Sequence, residues 1–163
     1  MGSKAFAAAR PNRLLTIGTL AGLAGGAAEI AWIAAYQGLT GQQAAIVAQG
    51  VTQSVLPSLA SAPSAVVLGL AIHMSLAIVM GIVIALAVPR LMPRVVGTML
   101  EPLAVIAGLV AVWAVNFFLV LPVINPDFVT IVPYAASLTS KVLFGFAAAF
   151  VLWLAHRGSA SAR

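Results

Sequence analysis

The sequence predicts an all-α integral membrane protein: a bundle of four transmembrane helices with both termini on the cytoplasmic side. Three observations carry this expectation. Of the 163 residues, 63% are hydrophobic and only 7% charged, with a mean hydropathy of +1.13. A soluble domain carries about 25% charged residues, so this chain is too poor in charge to cover a water-facing surface around its own core. Four stretches also reach the roughly 20 apolar residues that a membrane span needs. Finally, seven of the eight basic residues gather at one end of those stretches. Charges so few and dispersed signal topology rather than nucleic acid, despite the net charge of +5. The chain has no cysteine, which excludes disulfides, thiolate metal sites and cysteine nucleophiles.

The elements follow in order along a single membrane domain. The first span, residues 14–36, comes after Lys4, Arg10 and Arg13. Its apolar run is too long for a signal peptide and lacks a small-residue cleavage site before Tyr36, so it reads as a retained helix. An uncharged outer loop follows, and residues 41–56 within it have amphipathic character. Gln42, Gln49 and Gln53 share one side of a helical wheel, and Ala44, Val47, Ala48, Val51 and Val55 share the other. The second span covers residues 64–88, and the third 98–122. Between them lie Arg90 and Arg94, with Pro89 and Pro93 near the expected helix ends. A short outer turn through Pro122, Asn125-Pro126-Asp127 and Pro133 leads to the fourth span, 132–154, which Arg157 and Arg163 follow. Arg10, Arg13, Arg90, Arg94 and Arg157 are the expected topology anchors. By the positive-inside rule they place their ends in the cytoplasm of a bacterial-type inner membrane. They are too sparse for a specific anionic-lipid site.

Each span contributes one strongly polar side chain: Glu29, His73, Asn116 and Lys141. Counted from the span midpoints, all four sit slightly to the outer side of centre, in one expected layer. Gly18, Gly22 and Gly25 lie on the helical stripe of Glu29, Gly69 on that of His73, and Gly145 on that of Lys141. Small residues at this spacing let helices approach closely, which turns the polar groups toward neighbouring helices. A lone charge at a span centre costs about 2.5–3.5 kcal/mol on insertion scales. A Glu29–Lys141 pair, with His73 and Asn116 bonding around it, is therefore the expected arrangement.

Other chemistry is possible on the same residues. Glu29 and His73 are the residue types that titrate near neutrality in a low dielectric and could carry a proton. His73 could also ligate a haem iron or a chlorophyll-type magnesium, or a metal together with Met80. Ser137, Thr139 and Ser140 beside Lys141 form no hydrolase constellation: no oxyanion device accompanies them, and such serines usually bond their own helix carbonyls. Two function classes follow. One is an accessory or assembly subunit that packs against a larger inner-membrane complex, such as a respiratory or other redox assembly, or against itself. The alternative is a small oligomeric transporter or channel coupled to protons or ions through Glu29 and His73. In either class the expected partners are the bilayer and other membrane subunits.

Overall fold

The computed structural model describes residues 11–160 and the side chains of residues 12–155. Lys4, Arg10 and Arg163 lie outside that range, as do the side chains of His156 and Arg157. The described chain is all-helical. In order, the elements are α1 (Pro11–Leu39), α2 (Ala44–Val55), α3 (Ala65–Leu91), α4 (Glu101–Val115), α5 (Leu121–Ile124), α6 (Phe128–Ile131) and α7 (Tyr134–Ala160). A π-helical segment, Asn116–Val120, joins α4 to α5, so that the two run as one rod from Glu101 to Ile124. Four helical rods are long and apolar enough to cross a membrane: α1, α3, α4–α5 and α7.

Two of the prolines expected near helix ends, Pro89 and Pro122, lie within the last turn of their rods. Pro89 sits within α3, which continues to Leu91. It removes only one hydrogen bond, in the last turn, where few partners remain to lose. Pro122 sits in the first turn of α5. The π-helical turn lies directly before it, with the Leu121 N–H bonded back to the Asn116 carbonyl. A proline ring clashes with the carbonyl four residues earlier, and a widened turn is one way a helix absorbs that clash.

The central helix is α1, which packs against both α3 and α7. Outside them, α4 lies on α7 and α2 lies on α3, while α3 and α4 scarcely touch. Glycines set these distances. A Cβ at Gly18 would stand 2.5 Å from the Ile82 Cα, and one at Gly22 would stand 2.6 Å from the Ile78 Cα. From the other side, a Cβ at Gly81 would strike the Gly18 carbonyl. The α1–α3 crossing is therefore backbone against backbone, which no larger residue permits.

Apolar residues fill the bundle in two layers. Toward the Arg13 end, Ile17, Ala21, Ile84, Leu109, Phe144 and Leu152 pack together. Toward the α2 end, Trp113, Phe117, Leu121, Phe128 and Val132 form a second, aromatic layer. On α1 and α7 the polar residues fall between the two. Glu29 lies between Ala21 and Ile33, and Ser140 and Lys141 lie between Ala136 and Phe144.

Helix α2 exposes Gln49 and Gln53 and turns Ala48 inward, with Ala44, Val47 and Val51 half-buried, while Gln42 is exposed in the turn that precedes the helix. Val55 departs from the expected apolar side and is 51% exposed. It ends the helix, where the chain turns out of the packed face. Side chains tie α2 down: Thr52 donates to the Ala65 carbonyl at 2.6 Å. Buried Asn125 donates to the Gly50 carbonyl at 3.1 Å and to Ser54 Oγ at 2.9 Å.

Candidate functional site

Glu29 is the anchor of the site, with only 3% of its surface exposed. Its position follows from its own helix. Gly25, one turn before it, receives the Phe144 ring, which would stand 2.7 Å from any Cβ there. Gly26 meets Ala77 and Met74 of α3 in the same way. The two glycines draw α7 and α3 against one turn of α1, so the next turn delivers the carboxylate between both neighbours.

Lys141 of α7 answers it, with Nζ 2.6 Å from Glu29 Oε1. The same ammonium lies 5.7 Å from the centre of the Phe144 ring, within the reach of a cation–π contact. Ser140, the preceding residue, places Oγ 3.1 Å from Glu29 Oε1 and 2.8 Å from the Ser137 carbonyl. Its single proton serves one of these acceptors at a time. The ammonium and a hydroxyl thus flank the acid on its α7 side.

On the α3 side stands His73. Its Nε2 lies 3.6 Å from Glu29 Oε2 and is shielded from solvent, yet it has no hydrogen-bond partner. At that distance the contact is an ion pair when the imidazole is protonated and not a hydrogen bond in either state. Nε2 is also the atom a haem or chlorophyll metal would take, and here it is turned to the carboxylate. Met80 lies two turns away, about 10 Å along the helix axis, and packs against the core toward the Arg13 end rather than against the imidazole.

The structure does not bring Asn116 to this cluster. It opens the π-helical segment and lines a shallow groove on the outside of α4 with Ala111, Val112, Val115 and Val120. The face of α4 that points inward carries Leu109, Trp113 and Phe117. Span three instead reaches span four through Trp113, whose indole donates to Ser137 Oγ at 3.0 Å. Ser137 in turn donates to the Tyr134 carbonyl. From α1, Trp32 donates to the Ala136 carbonyl at 2.9 Å.

The packing glycines divide among several interfaces. Gly18 and Gly22 face α3, and Gly25 faces α7. Gly69 meets the Ala48 carbonyl of α2 rather than a spanning helix, and Gly145 meets Ile106 of α4 at 2.6 Å. Of the anchors, Arg13 donates to the Ala155 carbonyl of α7 at 3.3 Å, and Arg90 donates to the Leu86 carbonyl of its own helix at 2.8 Å. Arg13 and the Arg90–Arg94 loop therefore stand at the same end of the bundle.

Sequence reasoning passed over Ser140, Trp32 and Trp113 as members of the network. The two indoles carried a usable signal, because a buried Trp N–H requires an acceptor. Gln37, which donates to the Ile131 carbonyl at 3.1 Å, and Asn125 gave no periodic sign of burial.

Chemically, the site holds one acid, one amine and one imidazole. The groove beside Asn116 and an apolar cleft of about 190 Å³ between α3 and α4 lie away from it. Comparison with protein-family models, curated proteins and solved structures finds no match.

Proposed function

We propose that this protein is a small membrane-embedded accessory or assembly subunit, a preformed packing unit within a larger inner-membrane complex. One observation carries the reading: Glu29 is enclosed within the chain and paired with Lys141, while the grooves that flank α4 are lined almost wholly by apolar side chains. A conduit needs a wetted path to its titrating groups, whereas a packing subunit needs a fixed register and free apolar faces. An ion pair with a serine and two indole hydrogen bonds around it supplies that register. Arg13, Arg90 and Arg94 at one end support an orientation with both termini cytoplasmic.

The test is recovery of the tagged chain from membranes in mild detergent. Co-migration with a defined set of larger membrane subunits is the expected result. Recovery without any other subunit would overturn the reading.

A second reading rests on His73. An imidazole nitrogen without a hydrogen bond, 3.6 Å from a buried carboxylate, is a place where a proton could be exchanged in an oligomeric transporter. Under that reading Glu29→Gln leaves a recoverable protein whose proton- or ion-coupled flux is abolished. Under the first, the same change lowers recovery of the complex.

A further inference from the structure

Asn116 has a polar side chain that nothing within the chain explains. It lies between three and four residues beyond the midpoint of the Glu101–Ile124 rod, or about 5 Å along the axis, so no water reaches it in a bilayer. Its amide offers two donors and an acceptor, yet it bonds to no side chain or backbone group among the described residues. Other polar residues on the outward faces behave differently. Ser75 folds back on the Ala71 carbonyl at 2.8 Å and Thr139 on the Ala135 carbonyl at 2.9 Å.

A second observation falls on the same stripe. Gly108, Val112 and Asn116 are spaced four apart and so share one side of α4. A Cβ at Gly108 would meet nothing within 4 Å. The other glycines with open space are Gly38, Gly41 and Gly97, at the end of α1 or in turns, while Gly18, Gly22, Gly25, Gly26, Gly81 and Gly145 all sit under a neighbouring helix. Gly108 is the mid-span position where the backbone is bared to the outside. Val112 joins the groove beside Asn116 to the cleft between α3 and α4, since it lines both.

We propose that this face of α4 is a self-association surface, on which a second copy of the chain seats its own α4 with the two Asn116 side chains hydrogen-bonded to each other. The occupant follows from the chemistry. A carboxamide is its own complement, each donating one N–H to the other's oxygen. A two-fold axis along the membrane normal brings equal depths together, so Asn116 meets Asn116. Gly108 and Val112 carry no charge to repel a copy, and the glycine admits the close backbone approach that such pairs use. The pairing is independent of the accessory-subunit reading.

The chain has no cysteine, so one introduced thiol reports the contact. Val112→Cys, one turn from Asn116, is compared in native membranes with Leu23→Cys on an exposed face of α1 near the same depth. Under oxidation Val112→Cys should form a covalent dimer and Leu23→Cys should not. Adding Asn116→Val removes both reciprocal bonds and should weaken the association by roughly 10–300-fold, the equivalent of two interhelical hydrogen bonds in lipid, and Asn116→Gln should largely restore it. No dimer at Val112→Cys, or an equal yield at Leu23→Cys or with Asn116→Val, would overturn the proposal. These results are separable from the function test: a cross-linked dimer without other subunits defeats only the accessory reading, and a complex holding one copy defeats only the pairing.

Discussion

Lys141 Nζ lies 2.6 Å from Glu29 Oε1, joining the first and last spans of the bundle through their charges. Glu29 is almost fully enclosed and Lys141 is 26% exposed at its side chain, so the acid depends more on the pair than the amine does. Losing either partner leaves a charge without its counter-ion in a low dielectric, and breaking a buried pair typically costs about 3–5 kcal/mol. Lys141→Met should therefore destabilise the protein by that order, while Glu29→Gln, Lys141→Met together should recover most of the loss. A double-mutant cycle from denaturation in micelles measures it. Additive single effects would show that the contact contributes nothing.

His73 should be more dispensable to folding than Lys141. Its Nε2 makes no hydrogen bond, so replacing the imidazole by an apolar ring of similar size removes one unsatisfied polar atom and, at most, an ordinary bond to the Gly26 backbone. His73→Phe should change stability by about 1 kcal/mol or less, well below Lys141→Met in the same denaturation assay. An effect as large as that of Lys141→Met would mean that a protonated imidazole contributes to the native cluster.

Glycines of equal appearance in the sequence should respond oppositely. Gly22 lies against the Ala77 carbonyl, and a Cβ there would stand 2.6 Å from the Ile78 Cα. Both are backbone, which cannot step aside, so Gly22→Val should cost at least the 1–3 kcal/mol or so typical of overpacking. Gly38, near the end of α1, has open space where its Cβ would go. Gly38→Ala should stabilise by up to about 1 kcal/mol, the helix-propensity difference. Thermal denaturation of the two variants against the parent decides.

Asn125 should control α2 locally. It is buried and donates both to the Gly50 carbonyl and to Ser54 Oγ, from a loop that otherwise touches α2 through Phe128 and Ile131. Asn125→Leu removes those bonds at a cost of about 1–2 kcal/mol, and the opening should be confined to that end. Hydrogen exchange should rise in residues 44–55 and leave α1 and α7 unchanged. A uniform rise across the bundle would contradict a local role.

The parts of this molecule legible in the sequence are those governed by a period or by a large energy. Four apolar runs of span length appear as four rods because length and composition decide that outcome alone. Glu29 and Lys141 could be matched because isolated charges in apolar helices are rare and expensive. Asn116 was misplaced because an amide is cheaper to leave outward than a charge, so its wheel position alone did not fix its side. The widened turn before Pro122 then follows a change of helical register that a 3.6-residue wheel does not contain. Which of two neighbours a glycine meets is likewise absent from the stripe: Gly22 and Gly25, one turn apart, face different helices.

Orientation is the remaining consequence of the charge pattern. Arg13 bonds to the Ala155 carbonyl, and the Arg90–Arg94 loop stands at the same end, whereas the α2 end carries Asp127 and no basic side chain. Moving that basic end across a membrane is opposed by the asymmetry the positive-inside rule describes. In intact cells a membrane-impermeant maleimide should label Gln49→Cys, on the exposed side of α2, and should reach Met92→Cys only after permeabilisation. Both substitutions sit at exposed positions, so folding should be preserved, and the absence of native cysteine removes background. The reverse labelling pattern would invert the topology. Labelling of both without permeabilisation would show that the four rods do not divide the chain between two compartments.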